Sequence, residues 1–89
     1  MRVRYSRRAL SQVASVYEYL EGPIDRPPMG VRASIRSMVG RLSRMPKLGN
    51  VTDEGGVHVI VEPEYGYCVF YKIDRQQVFV LRILHGRQR

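Results

Sequence analysis

The chain ends in a short basic cluster, His85-Gly86-Arg87-Gln88-Arg89, which directly follows an apolar run. An imidazole can give and take protons near neutral pH, and guanidinium groups stabilise negative charge developing on a phosphate. Gly86 would let the backbone turn out of a sheet and present Arg87. His85 and Arg87 are therefore the only candidates for catalysis in this cluster, but a surface that binds an acidic partner fits it better. We expect no catalytic residue and a protein that is not an enzyme.

Arg82 lies inside the apolar run that precedes this cluster. A charged side chain in such a run needs a carboxylate partner or a route to solvent. One interpretation is an ion pair with Asp74, Glu62 or Glu64. The other is a contact between Arg82 and a partner protein, and the sequence does not decide between them.

The remaining chemically active residues favour packing over catalysis. His58 lies in a valine-rich run, which is typical of a surface or partly buried histidine, and Cys68 lies in an apolar run, where a free thiol behaves as a small hydrophobe. Tyr65, Tyr67 and Tyr71 could stack on bases, but no basic residue is interleaved with them before Lys72. Two distant histidines and one cysteine do not make a metal site. We expect no metal and no cofactor.

Composition indicates one basic globular domain spanning residues 1–89. The hydrophobic fraction of 44% is too high for a disordered chain, and a formal charge of +7 favours an acidic partner. The single cysteine excludes an internal disulfide. The N-terminus has no apolar signal segment, and no apolar stretch of about 18 residues is present, so we expect a cytoplasmic protein.

The hydrophobic patterns predict an α+β fold that begins with an edge strand over residues 1–5 and continues with two helices. Ser6 is a suitable N-cap for the first helix, which Gly22-Pro23 should end. Asp25-Arg26-Pro27-Pro28 should begin the second helix, and Pro46 should stop it. Because the connection is short, we expect an antiparallel helix hairpin.

The C-terminal half predicts three strands in an antiparallel meander, after a loop over residues 47–56. The strands are Val57–Glu62, Gly66–Asp74 and Val78–His85, and the N-terminal strand should join them in an antiparallel sheet of four strands. Simple alternation in the last strand places Val80, Arg82 and Leu84 on one face and Phe79, Leu81 and Ile83 on the other. Both faces are substantially apolar, so we expect helices to cover one and a partner to cover the other.

This order of elements resembles the RelE/ParE superfamily of type II toxins, and it is closer to the ParE branch. The residues that carry the likeness are Ser6-Arg7-Arg8-Ala9, Gly66-Tyr67-x-Val69-x-Tyr71 and, most specifically, Val80-Leu81-Arg82-Ile83-Leu84-His85-Gly86-Arg87. The resemblance implies a toxin that arrests growth, acts in plasmid stabilisation and is held silent by a small antitoxin. The antitoxin's C-terminal segment should be acidic or amphipathic, and the pair should form a hetero-oligomer.

The two branches of the superfamily imply different targets. ParE-like toxins bind and poison DNA gyrase, whereas RelE-like toxins cleave messenger RNA on the ribosome. The cations of a RelE-like site are mostly missing: the strand Val57–Glu62 has no Lys or Arg, Cys68 stands at an arginine position, and the chain stops at Arg89 before a terminal tyrosine. We therefore expect gyrase inhibition, with a degenerate mRNA interferase as the alternative and a non-toxic basic nucleic-acid-binding domain as the second alternative.

The resemblance also implies binding roles for particular residues. The target-binding residues should be Arg82, His85, Arg87 and Arg89. The antitoxin-binding residues should be Tyr67, Tyr71, Val80 and Leu84. No membrane contact, and no direct DNA binding by the toxin alone, is expected.

Overall fold

A mixed five-stranded sheet with helices on one face forms the protein in the computed structural model, which describes residues 1–12, 31–64 and 66–85. The elements are β1 (Arg2–Tyr5), α1 (helical from residue 7, described to residue 12), α2 (Val31–Arg44), β2 (Asn50–Val51), β3 (Val57–Glu62), β4 (Tyr67–Asp74) and β5 (Gln77–His85). The predicted end of the first helix, the start of the second, the hairpin loop, Tyr65, Arg87 and Arg89 lie outside the described residues. Within the described ranges, no helix is long and apolar enough to cross a membrane.

The sheet has the strand order β1-β5-β4-β3-β2. The predicted meander β3-β4-β5 is confirmed, and β1 joins it as expected, but β1 pairs with β5 in parallel. The expectation of four antiparallel strands is therefore wrong about the direction of β1. It is also wrong about the number of strands, because a two-residue strand inside the predicted loop, β2, pairs antiparallel with β3 through Asn50 and Val51.

The predicted N-cap at Ser6 is confirmed. Its hydroxyl oxygen accepts a hydrogen bond from the Ala9 N–H at 2.9 Å, which satisfies one of the unpaired donors at the start of α1. The same hydroxyl donates to the Leu81 carbonyl at 2.7 Å, and the Ser6 N–H donates to Val80 at 2.9 Å. The cap thus fixes α1 against β5 as well as starting the helix.

The face of the sheet that packs against the helices, here called the inner face, holds the core. The helices contribute Ala9, Ile35, Met38, Val39 and Leu42. The strands contribute Tyr67, Val69, Tyr71, Val78, Val80 and Ile83. The sequence predicts an apolar stripe at three- and four-residue intervals, made of Val31, Ile35, Met38, Leu42 and Met45. α2 buries Ile35, Met38 and Leu42 of this stripe together with Val39, whereas Met45 follows the helix and is 56% exposed.

A β-bulge in β5 sets which side chains reach the other, outer face. Phe70 pairs with Arg82 while the next residue of β4, Tyr71, pairs with Val80, so Leu81 is the extra residue of the pair. The predicted face assignment of β5 is wrong for this reason. Val80 lies on the inner face with Ile83, whereas Phe79, Arg82 and Leu84 lie on the outer face.

Candidate functional site

The outer face is organised as rows of side chains, because directly paired residues of neighbouring strands point the same way. One row joins Arg4, Phe79, Lys72 and Val57, and the next joins Arg82, Phe70 and Val59. A third row joins Leu84, Cys68 and Val61, next to the point where β5 ends. We call this third row, together with Phe70 and Val59, the apolar end of the outer face.

Arg82 is held over the apolar end by two contacts. Its guanidinium carbon lies 4.1 Å from the centroid of the Phe70 ring, a cation–π arrangement. Its Nη2 donates to Oε1 of Glu54 at 2.6 Å. The ion-pair interpretation is thus realised, but with Glu54 of the β2–β3 loop instead of Asp74, Glu62 or Glu64. The hydrogen bond from Arg82 and then its positive charge hold the pKa of Glu54 below its usual range.

Nothing in the sequence identified Glu54 as the partner of Arg82. It lies 28 residues from Arg82, in a loop that becomes a hairpin only through the two-residue strand β2. Target binding by Arg82 stays a prediction, and a partner's acidic group would compete with Glu54 for the guanidinium.

His85 is the last residue of β5 and lies at the start of the basic cluster. Its ring meets that of Tyr67 edge-on, with centroids 5.1 Å apart. A side chain at Gly66, which has a φ of +80°, would place its Cβ 3.5 Å from Nε2 of His85. That distance is an ordinary van der Waals contact, so glycine is required here by its positive φ in the turn before β4 and not by the imidazole.

The two histidines are not brought together. His58 pairs with Tyr71 and His85 pairs with Tyr67, which puts them four residues apart along β4, or roughly 13 Å. His58 stacks on the Tyr71 ring at 5.3 Å, and its Nδ1 is buried without a hydrogen-bond partner in the described part of the chain. An acid–base pair made of both imidazoles is therefore not assembled.

Three of the four predicted antitoxin-binding residues lie in the core. Tyr67, Tyr71 and Val80 are buried beneath the helices, whereas Leu84 is partly exposed on the outer face. Antitoxin binding stays a prediction for all four. Leu84 alone among them can be reached from solvent without moving a helix.

The burial of the Glu62 carboxylate, and its role in joining β3 to neighbouring elements, were not predicted from the sequence. It is 1% exposed, and its Oε1 accepts hydrogen bonds from the Ser34 hydroxyl at 3.0 Å and from the Glu64 N–H at 2.7 Å. These contacts fix the end of β3 to α2 and to the turn that follows. In the described ranges, no group of three or more His, Cys, Asp or Glu side chains could hold a metal ion.

Comparison with known families decides which branch of toxins this fold represents. A family model described as the ParE toxin of the type II toxin–antitoxin system parDE matches residues 3–89. The chain belongs to the ParE toxin family. A search of the curated proteins gave no significant match.

Solved structures show the same fold at low sequence identity. The chromosomal ParDE system from P. aeruginosa matches with a TM-score of 0.71 and 16% identity, over 96% of this ParE-family chain and 95% of the other. The isolated E. coli RelE toxin matches with a TM-score of 0.69 and 16% identity, over 96% and 83%. The intact E. coli RelBE toxin–antitoxin complex matches with a TM-score of 0.67 and 18% identity, over 94% of both chains.

Proposed function

We propose that this chain is the toxin of a type II toxin–antitoxin pair, that it binds and poisons DNA gyrase, and that a cognate antitoxin neutralises it. The family assignment supports the toxin. The choice of a protein target over ribosomal messenger RNA depends on the outer face. Gyrase acts on the chromosome, so the proposed site of action is the cytoplasm.

The observation that carries the proposal is the apolar end of the outer face. Val59, Val61 and Cys68 occupy it beside the last residues of β5, and β3 contributes no cation. Cleaving a phosphodiester requires groups that stabilise added negative charge on the phosphate. Valine and a buried thiol offer none, whereas an apolar surface flanked by arginine is typical of protein recognition.

The C-terminal basic cluster supplies the charged part of the proposed target contact. β5 ends at His85, and Arg87 and Arg89 follow it within four residues in the sequence. Guanidinium groups suit an acidic protein surface. Arg82 adds a third guanidinium once a partner's carboxylate replaces Glu54.

The antitoxin is the second proposed partner. The similar solved structures include a ParDE system and a RelBE toxin–antitoxin complex. A segment with acidic and apolar residues complements this chain, because the toxin carries a net charge of +7 and exposes apolar side chains on its outer face.

The decisive experiment compares two activities of the purified chain. We expect loss of gyrase supercoiling with accumulation of cleaved DNA, and no cleavage of messenger RNA on translating ribosomes. The double variant Arg87→Ala/Arg89→Ala should lose gyrase inhibition while keeping its thermal transition. Cleavage of messenger RNA at ribosomes with gyrase untouched would instead establish the interferase.

A matched pair of valines tests the apolar end. Val61 lies on the outer face and is 50% exposed. Val51 lies on β2, pairs with the inner-face residue His58 and is 75% exposed. Val61→Asp should weaken binding of gyrase or antitoxin, whereas Val51→Asp should leave both unchanged. Equal effects of the two variants would mean that the apolar end has no part in recognition.

A further inference from the structure

The outer face has a second, chemically different end, which the gyrase proposal does not use. We call it the cationic end; it comprises Arg2, Arg4, Lys72, Arg75 and Phe79, and these four cations outnumber the carboxylate of Asp74, which shares the row of Arg2 and Gln77. Arg4 pairs with Phe79 and Phe79 pairs with Lys72, so an aromatic ring lies between two cations in one row. Arg2 and Arg4 lie on the same side of β1, about 7 Å apart along the strand.

A cleft of about 740 Å³ extends the cationic end around the β4–β5 turn. It is lined by Met1, Arg2, Arg75, Gln76 and Gln77. Two guanidinium groups and two amides make this lining rich in hydrogen-bond donors. Neither Arg2 nor Arg75 makes an ion pair or side-chain hydrogen bond with any residue that the structure describes, in contrast to Arg82 with Glu54.

Arg75 occupies a backbone conformation that an arginine rarely adopts. Its φ is 57°, in the left-handed region where glycine or asparagine is usual in a hairpin turn. Residues held in such a conformation cluster at functional sites, so the Arg75 side chain is a candidate for ligand binding. Here Arg75 lines the cleft together with Arg2 and the two glutamines.

We propose that the cationic end binds single-stranded nucleic acid. The phosphates contact Arg2, Arg4 and Arg75, and one base stacks on Phe79. This departs from the expectation that the toxin alone makes no direct DNA contact. It does not depend on gyrase as the target, because the site lies at the other end of the outer face.

The ring of Phe79 is what favours a nucleic acid over an acidic peptide. Phe79 is partly exposed and has no aromatic or cation–π contact within the described ranges, whereas Phe70 is covered by Arg82. Strands without base pairing bind where cations follow the backbone and aromatic rings receive bases. Carboxylates would use the cations but leave the ring without a partner.

The first experiment measures binding of the full chain to a labelled oligothymidylate of about 12 nucleotides at several salt concentrations. The double variant Arg2→Gln/Arg75→Gln should bind more weakly. Its log–log salt slope should be smaller by about 1.4, because each phosphate contact on a single strand contributes about 0.7.

A control of equal charge separates the site from net charge. Arg36 and Arg41 are exposed on α2, which packs on the inner face. Arg36→Gln/Arg41→Gln removes the same two charges, and we expect it to keep the wild-type slope. Equal loss in the two double variants would overturn the proposal in favour of non-specific attraction.

Two single variants test the ring and the strained turn. Phe79→Leu should weaken binding at least about fivefold without changing the salt slope, because a base loses its stacking partner. Arg75→Gly should raise the Tm, since glycine accepts positive φ, and at the same time weaken binding. A turn with only a structural role would gain stability and lose no affinity.

The choice of ligand completes the test. The oligothymidylate should bind more tightly than a duplex of the same length and more tightly than a poly-glutamate peptide of equal charge. Tighter binding of the peptide would make the cationic end a protein-binding surface and overturn the proposal. Equal binding of single strand and duplex would remove the role assigned to Phe79.

Discussion

Nη2 of Arg82 lies 2.6 Å from Oε1 of Glu54, and this ion pair closes over the outer face of the sheet. The guanidinium is also fixed from below by the Phe70 ring at 4.1 Å. Glu54 is largely exposed, so the pair can open towards solvent or towards a partner. The pair links the β2–β3 loop to β5 and keeps the Arg82 guanidinium over the apolar end.

Acid should remove the contribution of this pair to stability. Since the pKa of Glu54 is held below its ordinary value of 4.5 in the folded chain, its contribution is complete above 4.5 and is lost as the pH falls through the lowered pKa. Wild type should therefore have a slightly higher Tm than Glu54→Gln at neutral pH, and the difference should vanish in acid. The difference is small because exposed ion pairs contribute little.

Thermal unfolding of both proteins from neutral to strongly acidic pH checks this prediction. Asp53→Asn is the control, because Asp53 is the neighbouring exposed carboxylate and makes no ion pair with the described residues. A Tm difference for Glu54→Gln that persists in acid would show that the side chain stabilises by some contact other than its charge.

The Tyr71 hydroxyl joins β4 to the segment after α2. It donates to the Pro46 carbonyl at 2.8 Å and accepts from the Gly49 N–H at 2.9 Å. Tyr71→Phe would leave both partly buried backbone groups without this partner. We expect a loss of about 1–3 kcal/mol in the free energy of unfolding, measured by urea denaturation with an unchanged m-value. A loss within error would mean that water replaces the hydroxyl.

Alkaline pH should affect the same residue. Burial raises the pKa of Tyr71 above its ordinary value of 10.0, and the hydrogen bond from Gly49 opposes this only in part. The folded chain therefore retains a proton that the unfolded chain releases. The stabilisation is complete below pH 10 and is lost as the pH rises through the raised pKa. Wild type should lose more stability than Tyr71→Phe above pH 10, and parallel curves would contradict the assignment.

Gly49 is required by this arrangement. A Cβ there would lie 2.6 Å from the Tyr71 hydroxyl oxygen and 2.7 Å from the Val59 carbonyl oxygen. Gly49→Ala should cost roughly 1–3 kcal/mol, because a backbone oxygen cannot simply rotate away. Gly55→Ala is the matched control, since a Cβ at Gly55 meets nothing within 4 Å. Similar Tm values for both variants would show that the loop adapts.

The sequence predicts well those features that depend on local chemistry. The Ser6 cap, the apolar stripe of α2 and the three meander strands follow from side-chain type and spacing, and the structure has all of them. The parallel pairing of β1 depends on contacts between residues far apart in the chain. The short strand β2 also depends on pairing with another strand, because two residues are too few to show a hydrophobic pattern.

The candidate site was harder to predict because one extra residue reverses a strand's faces. Alternation alone groups Val80 with Arg82, but the bulge at Leu81 buries the first and leaves the second on the outer face. The cationic end was missed for a related reason. Arg4 and Phe79 are 75 residues apart in sequence, and only the pairing of β1 with β5 makes them neighbours.

The bulge leaves backbone groups of β5 without strand partners, and α1 satisfies them. The Ser6 hydroxyl donates to the Leu81 carbonyl at 2.7 Å, and Oε1 of Gln12 accepts from the Ile83 N–H at 2.8 Å. Ser6→Ala removes both the helix cap and the partner of Leu81. We expect a loss of about 1–2 kcal/mol, or roughly 4–16 °C in Tm for a domain of this size.

Ser6→Thr and Ser6→Asp separate the two roles of Ser6. Threonine keeps a hydroxyl that can both cap α1 and donate to Leu81, so it should retain most of the stability. Aspartate caps a helix as well as serine but has no proton to donate at neutral pH, so it should fall between serine and alanine. Amide hydrogen exchange at Ala9 should report the cap alone. If aspartate matched serine, the bond to Leu81 would contribute nothing, and the bulge would be held by Gln12 and core packing.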